Sequence, residues 1–283
     1  MTTPLLLTTP AEMSAWSRER LKAGKSIGFV PTMGALHAGH KSLLDRARKE
    51  NDMVVASIFV NPTQFGPGED FERYPRSFEA DEHLCAGVPV DVLFHPAPKD
   101  MYAADARTFV EVGSLQDVLC GMSRPGHFRG VATVVIKLFA LVRPDRAYFG
   151  RKDAQQVRIL EVMTRDLNLG VQIVPCEIVR EADGLAMSSR NRFLAPLERK
   201  QAQCLYQALQ HCIKRVAAGE TAAMKLSGEM AELIDKAAPN AEIDYVAIVD
   251  LDTLTDVAKV SGACLAALAV KIGATRLIDN ARL

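Results

Sequence analysis

The chain has 283 residues, 48% apolar and 24% charged, and its 34 basic and 34 acidic side chains cancel to a net charge of zero. That is a normal balance for a globular chain, long enough for one large domain or two smaller ones. The even charge argues against a basic arm or a general nucleic-acid surface, and no apolar run reaches membrane-spanning length.

Six cysteines are scattered at Cys85, Cys120, Cys176, Cys204, Cys212 and Cys264. None forms a CxxC pair, the gaps match no zinc pattern, and the spacing of Cys204 and Cys212 on one helix flank reads as buried thiols. Such thiols fit a reducing cytoplasm. The N-terminal stretch MTTPLLLTTP lacks the basic region and long apolar core of a signal peptide. There is no internal repeat and no low-complexity tract.

Residues 11–23 read as a helix with Met13, Trp16 and Leu21 on one side. Residues 25–50 read as strand, tight loop and helix. Ile27, Phe29 and Val30 are strand formers, and Pro31, with no N–H for a ladder, is expected to end the strand. A helix opens near His37 and carries Leu43, Leu44 and Ala47 inward. In its first turn His37 and His40 share a face, and Gly39 between them lets a ligand approach the backbone. The N–H groups and positive dipole end at a helix start favour a phosphate, so this HxGH element points to a triphosphate site. From the four letters alone, two surface histidines at a helix cap fit as well.

Residues 53–60 form a continuous apolar run, the pattern of a strand buried on both faces, and complete a βαβ unit. The polar loop 61–70 then lies at the carboxyl end of a parallel strand, where open α/β sheets bind ligands. There Gln64 is an uncharged side chain able to reach such a crevice; a solvated turn residue is the alternative. A helix over 77–86, a strand over 90–94 and an additional strand over 108–112 follow. The loop 123–130 carries Arg124, His127 and Arg129 and suits an anion-facing lid or an ordinary surface connection.

Residues 131–142 read as a helix ended by Pro144, and 146–150 as a strand. In the turn 150–153, Lys152 places an ammonium where phosphate oxygens would meet it, and Asp153 is a natural N-cap for a helix over 154–167. Gln156 falls in that helix's first turn and faces the same crevice. Residues 171–179 are strand-like, with Pro175 implying an edge or a bulge. After a turn at 181–184, Ser188, Ser189 and Arg190 can wrap phosphates or cap a helix. Beyond Pro196 come helices over 198–217 and 221–237, joined at Gly219, and strands over 243–249, 265–270 and 276–280. The expected architecture is α/β: a Rossmann-like, doubly wound parallel sheet over residues 1–183, followed by a smaller α+β C-terminal domain over 184–283.

Several motifs occur in order: PTMGALHAGH at 31–40, SIFVNPTQF at 57–65, RYPR at 73–76, SRPGHFRGV at 123–131, FGRKD at 149–153, DGLAMSSRN at 183–191 and RLIDN at 276–280. Together they resemble the pantothenate synthetase family, the pantoate–β-alanine ligases of the nucleotidyltransferase superfamily. Two departures are Ala38 inside HxGH, where an acidic residue is common, and Arg151, which replaces the usual acidic residue before the lysine and is expected to point outward.

The resemblance implies two steps. The pantoate carboxylate attacks the α-phosphorus of ATP, giving pantoyl adenylate and pyrophosphate; the β-alanine amine then displaces AMP. It implies an ATP site lined by Met33, Gly34, Ala35, Leu36, His37, Ala38, Gly39 and His40, completed by Gly150, Arg151, Lys152, Asp153, Val179, Met187, Ser188, Ser189 and Arg190. His40, His37 and Lys152 are its implied catalytic groups, and Gln64 and Gln156 its pantoate and β-alanine contacts. Mg²⁺ is expected with the ATP and no metal of the protein's own. The partners are these small molecules, with no nucleic acid and no membrane, in a cytoplasmic homodimer. The small C-terminal domain is expected to serve as a lid over a water-sensitive adenylate.

Two rival enzymes share HxGH. A nucleotidylyltransferase acting on a phosphorylated acceptor calls for a second basic cluster, and a tRNA-charging enzyme for a tRNA surface. A non-catalytic nucleotide-sensing module would bind ATP without carboxylate-dependent pyrophosphate release.

Overall fold

The computed structural model describes residues 3–88 and 90–283. They divide into two compact units. The first takes the chain up to Gln116, then Arg124–Arg151 and Gln156–Glu177; the second takes Asp117–Ser123, Lys152–Gln155 and Ile178–Leu283.

The elements up to the third quarter of the chain run β1 (Leu5–Leu7), α1 (Pro10–Lys22), β2 (Ile27–Thr32), α2 (Ala38–Glu50), β3 (Met53–Ile58), α3 (Phe78–Ala86), β4 (Val92–Phe94), α4 (Pro98–Met101), α5 (Cys120–Ser123), α6 (His127–Val142), β5 (Arg146–Gly150), α7 (Ala154–Asp166) and β6 (Gln172–Cys176). The short α5 and the first two residues of α7 belong to the second unit. In the first unit the six strands form one sheet in the order β1-β4-β3-β2-β5-β6, every pairing parallel. Strand β6, with Pro175, lies at the edge, where a residue that cannot donate to a ladder is tolerated.

Apolar periodicity explains these elements. Leu43, Leu44 and Ala47 of α2 are buried, as their spacing requires. Full burial of a leucine such as Leu44 is worth about 1.5–3 kcal/mol. In α1, Met13 and Ser17 are buried, while Leu21 is 37% exposed, so its inward face is narrower than expected.

Three local expectations are corrected. Strand β2 passes through Pro31 to Thr32, because alternate residues of β2 bond opposite neighbours and Pro31 falls on the β5 side, where the ladder has already ended at Phe29↔Ala147. Residues 108–112 form no strand: the Val110 N–H donates to the Thr133 hydroxyl at 2.9 Å, and Phe109 is 56% exposed. The loop before α6 is shorter than expected, since the helix starts at His127 behind Gly126, which has φ +80°.

The second unit continues with α8 (Pro196–Gln201), α9 (Cys204–Ala217), α10 (Ala223–Ala237), β7 (Glu242–Asp250), β8 (Cys264–Ile272) and β9 (Thr275–Arg282). Its three strands are antiparallel, with β8 central. Leu205, Leu209, Leu226, Met230 and Ile234 of the helices share a core with Leu268 and Val270 of β8. The single helix expected over 198–217 is broken between α8 and α9. Ala202 and Cys204 are both buried, and two residues apart on a continuous helix they would point to different faces. All six cysteines are free and buried. Burial pushes the Cys85 thiol up to about 12 and those of Cys204 and Cys212 to about 11, which makes them inert.

Candidate active site

The site is built where two strands of the first unit part. The ladder between β2 and β5 ends at Phe29↔Ala147. Beyond it, β2 stays paired with β3 as far as Thr32↔Ile58, and β5 with β6 as far as Gly150↔Cys176. The chain order also reverses here: β3 lies on one side of the pair and β6 on the other. Parting carboxyl ends at a reversal of strand order form the crevice in which open α/β sheets bind ligands.

The HxGH turn stands at one wall of this opening. Gly34 has φ +87° and Ala35 φ +51°, so the chain doubles back through the left-handed region. At Gly34 a side chain would also meet the Asp81 carboxylate, 2.9 Å from a built Cβ. Asp81, 2% exposed on α3, accepts the Ala35 N–H at 2.8 Å and the Leu36 N–H at 2.7 Å. The Thr32 hydroxyl accepts the Gly34 N–H at 3.2 Å. The loop's main-chain N–H groups at 34–36 are therefore fixed by the side chains of Asp81 and Thr32.

The two histidines cap α2. His37 Nδ1 accepts the Gly39 N–H at 3.2 Å, and His40 Nδ1 accepts the His37 N–H at 3.3 Å. This is the reciprocal pattern of a capping box, built from imidazoles. A main-chain N–H can only donate, so each Nδ1 is an acceptor and each neutral ring carries its proton on Nε2. The rings lie 4.1 Å apart between centroids. Capping uses Nδ1 of each ring, so the two readings of the four letters are compatible.

Gln64 sits beside this turn. It ends the 3-10 turn Pro62–Gln64 and is 8% exposed, which excludes a solvated turn residue. Its Nε2 donates to Met33 Sδ at 3.1 Å, and its Oε1 accepts from Asn61 Nδ2 at 3.1 Å. Asn61 also donates to the Gly130 carbonyl at 3.1 Å and accepts from the Tyr102 hydroxyl at 2.9 Å. Helix α6 runs so close that a Cβ at Gly130 would fall 2.3 Å from the Thr63 carbonyl oxygen. His127 Nδ1 donates to the Gln64 carbonyl at 2.8 Å, while Arg124 donates to His127 Nε2 at 3.0 Å and to Glu69 at 2.6 Å. Burial works against the Glu69 carboxylate, but the Arg124 hydrogen bond and charge outweigh it and hold its pKa below the usual range. Arg124 and His127 thus brace the Gln64 loop.

The end of β5 supplies Gly150 and Arg151. Arg151 is less outward than expected: its side chain is 28% exposed and pairs with Glu177. Gln156 is half-buried at the start of α7, and its neighbour Gln155 lies in the second unit.

In the second unit, Lys152 is 20% exposed with its ammonium 3.9 Å from Asp153. Asp153 closes the 3-10 turn Arg151–Asp153 that runs into α7. The Met187 N–H donates to the Val179 carbonyl at 2.9 Å, closing a hairpin whose tip is Gly184, φ +93°. Ser188 caps the following 3-10 turn Ser189–Phe193 by accepting the Arg190 N–H at 3.3 Å. The cap reading of Ser188 is therefore realised.

Within the first unit the structure brings the 33–40 turn and Gln64 into contact. Sequence reasoning missed Asp81 and Asn61. Asn61 precedes Pro62 and caps its turn, accepting the Thr63 N–H at 3.4 Å; Asn-Pro is a signal that could have revealed it. Asp81, more than 40 residues from its partners, has no local signal. Among the described residues no three His, Cys, Asp or Glu side chains are grouped to hold a metal ion, and no helix is long and apolar enough to cross a membrane.

A six-stranded parallel sheet flanked by helices, with a two-histidine turn where its strand order reverses, defines a Rossmann-like α/β protein with its crevice at that point. The profile of the pantoate-beta-alanine ligase family matches residues 5–282, and the chain belongs to that family. The pantothenate synthetase of Thermotoga neapolitana is 54% identical over 275 residues, 97% of this chain and 98% of the relative. That of Moorella thermoacetica is also 54% identical, covering 97% of each. The crystal structure of pantothenate synthetase from Thermus thermophilus superposes with a TM-score of 0.92 at 44% identity, over 98% of both chains. The Francisella tularensis pantoate-beta-alanine ligase, complexed with beta-gamma ATP and beta-alanine, gives 0.80 at 33% identity, over 98% of this chain and 97% of that one. The chain is an ATP-dependent ligase that condenses pantoate with β-alanine.

Proposed function

We propose that the ATP triphosphate is received by the 33–40 turn, with His37 and His40 donating through Nε2, and by Gly150, Arg151, Lys152, Asp153, Val179 and Met187–Arg190 (residues 187–190). Gln64 and Gln156 hold pantoate. The observation that carries this reading is the contact between Gln64 and Met33, beside the parted ends of β2 and β5. It puts an amide suited to a carboxylate against the turn suited to a phosphate. A glutamine binds the carboxylate without adding a positive charge that would damp its nucleophilicity.

A pantoate oxygen attacks the α-phosphorus and pyrophosphate leaves. His40 and Lys152 stabilise the charge that develops, as donors already in place need no reorganisation during reaction. The β-alanine nitrogen then attacks the acyl carbon, AMP leaves, and the amine gives up a proton. Mg²⁺ enters with ATP, bound by its phosphates. Residues 184–283 cover the adenylate against water, and the enzyme works as a homodimer in the cytoplasm, a compartment that six free buried thiols support.

The test is pyrophosphate release from pantoate and ATP, with and without β-alanine. Carboxylate-dependent release without the amine, followed by AMP and the amide once it is added, is the expected result. ATP binding without such release would leave only a nucleotide sensor.

A further inference from the structure

The RLIDN segment at 276–280 has no part in the site as described, yet it holds four separate stretches of the second unit. It lies on β9. Arg276 donates to Asp244 at 2.9 Å through Nε, to Ser123 Oγ at 3.2 Å and to Cys120 Sγ at 3.5 Å. Asp279, 2% exposed, accepts two bonds from Arg180 at 2.6 and 3.0 Å. Arg180 also donates to the Gly184 carbonyl at 3.0 Å and lies 4.4 Å over the Tyr206 ring. Asn280, 7% exposed, donates its Nδ2 to the Lys152 carbonyl at 2.9 Å. Its own N–H is taken by Asp279 Oδ1 at 2.8 Å.

We propose that Asn280 is a positioning residue for Lys152. A lysine ammonium rides on a flexible four-carbon stem, so its reach depends on where its main chain is fixed. Lys152 sits in a three-residue 3-10 turn. The bond from Asn280 anchors that turn to β9, and Asp279 next to it anchors the hairpin leading to Ser188–Arg190 (residues 188–190). One strand thereby sets both phosphate-facing segments of this unit. The inference rests on the reading of Lys152 as a phosphate-facing donor.

The test is a double-mutant cycle in the full-length enzyme, read as the rate of pyrophosphate release at saturating pantoate and ATP. Asn280→Ala is expected to slow this step about tenfold, since small misplacements of a catalytic group are costly, and to change kcat more than the KM for ATP. In a Lys152→Ala background the same substitution should cost less than about twofold. Equal fold losses in the two backgrounds, or a lowered melting temperature with an unchanged rate, would overturn the proposal. Asn280→Ser keeps a donor on a shorter arm and should recover part of the rate; if Asn280→Ala does not fold, Asn280→Ser is run through the same cycle and decides it. Failure of the underlying reading registers separately: a Lys152→Ala enzyme with undiminished release removes Lys152 from the chemistry, and Asn280's role with it.

Discussion

The HxGH turn and the Lys152 turn both follow parallel strands, β2 and β5, but are held in opposite ways. The first is largely self-made. His37 and His40 cap their own helix across three residues, and one buried carboxylate from α3 completes the loop. The second is held from the far end of the chain, by Asn280 across a sequence separation of 128. Two turns implied for one nucleotide thus differ in what secures them: side chains of the motif itself in one case, a strand of another element in the other. Damage within the motif should therefore strike chemistry, and damage to β9 should strike stability and placement together.

The largest expected effect tests the second half of that contrast. Asp279→Ala leaves the Arg180 guanidinium, 21% exposed, without its carboxylate partner. Breaking a buried pair from one side costs about 3–5 kcal/mol. Denaturant titration should show a loss of this order, whereas a loss below about 1 kcal/mol would mean that β9 is not what secures the hairpin. Next in size, His40→Ala and Lys152→Ala should each slow adenylate formation by about two to three orders of magnitude while leaving the fold intact. Pyrophosphate release near the parent rate in either variant would end its assigned role.

The same contrast explains what could be read in advance. The βαβ order and the inward face of α2 follow from periodicity within a few residues of one another. So does the histidine turn, because a strand former run, a Gly-rich loop and a helix stand in one continuous string. The passage of β2 through Pro31 was not legible, because it depends on where β2 parts from β5, and that is set by the tertiary fold. Nor was the use of Arg124 and His127, whose partners Glu69 and the Gln64 carbonyl lie more than fifty residues earlier. The RLIDN string was visible as a motif, but its bonds to Arg180 and Lys152 depend on the tertiary fold.

A smaller effect sharpens the first half. Asp81→Asn keeps one acceptor oxygen and turns an NH₂ group toward either the Ala35 or the Leu36 N–H. Leaving one such donor unsatisfied costs about 1–3 kcal/mol. The expected outcome is a raised KM for ATP with kcat changed less, since the turn is loosened while both histidines remain. Unchanged ATP kinetics would show that the capping box alone preorganises the loop.

The smallest effect concerns the brace on the Gln64 loop and depends on pH. Glu69 has a folded pKa below its ordinary 4.5, because the Arg124 hydrogen bond and charge prevail over burial. A depressed carboxylate contributes stability above the unfolded pKa and loses it as pH falls through the lower folded value. The melting temperature of the parent should therefore exceed that of Glu69→Gln at neutral pH. The gap should narrow below about pH 4.5 as the parent's own carboxylate takes up a proton. A gap that stays constant with pH would mean that Gln64 is held by His127 and Asn61 alone, with the Arg124–Glu69 pair adding no charge-dependent support.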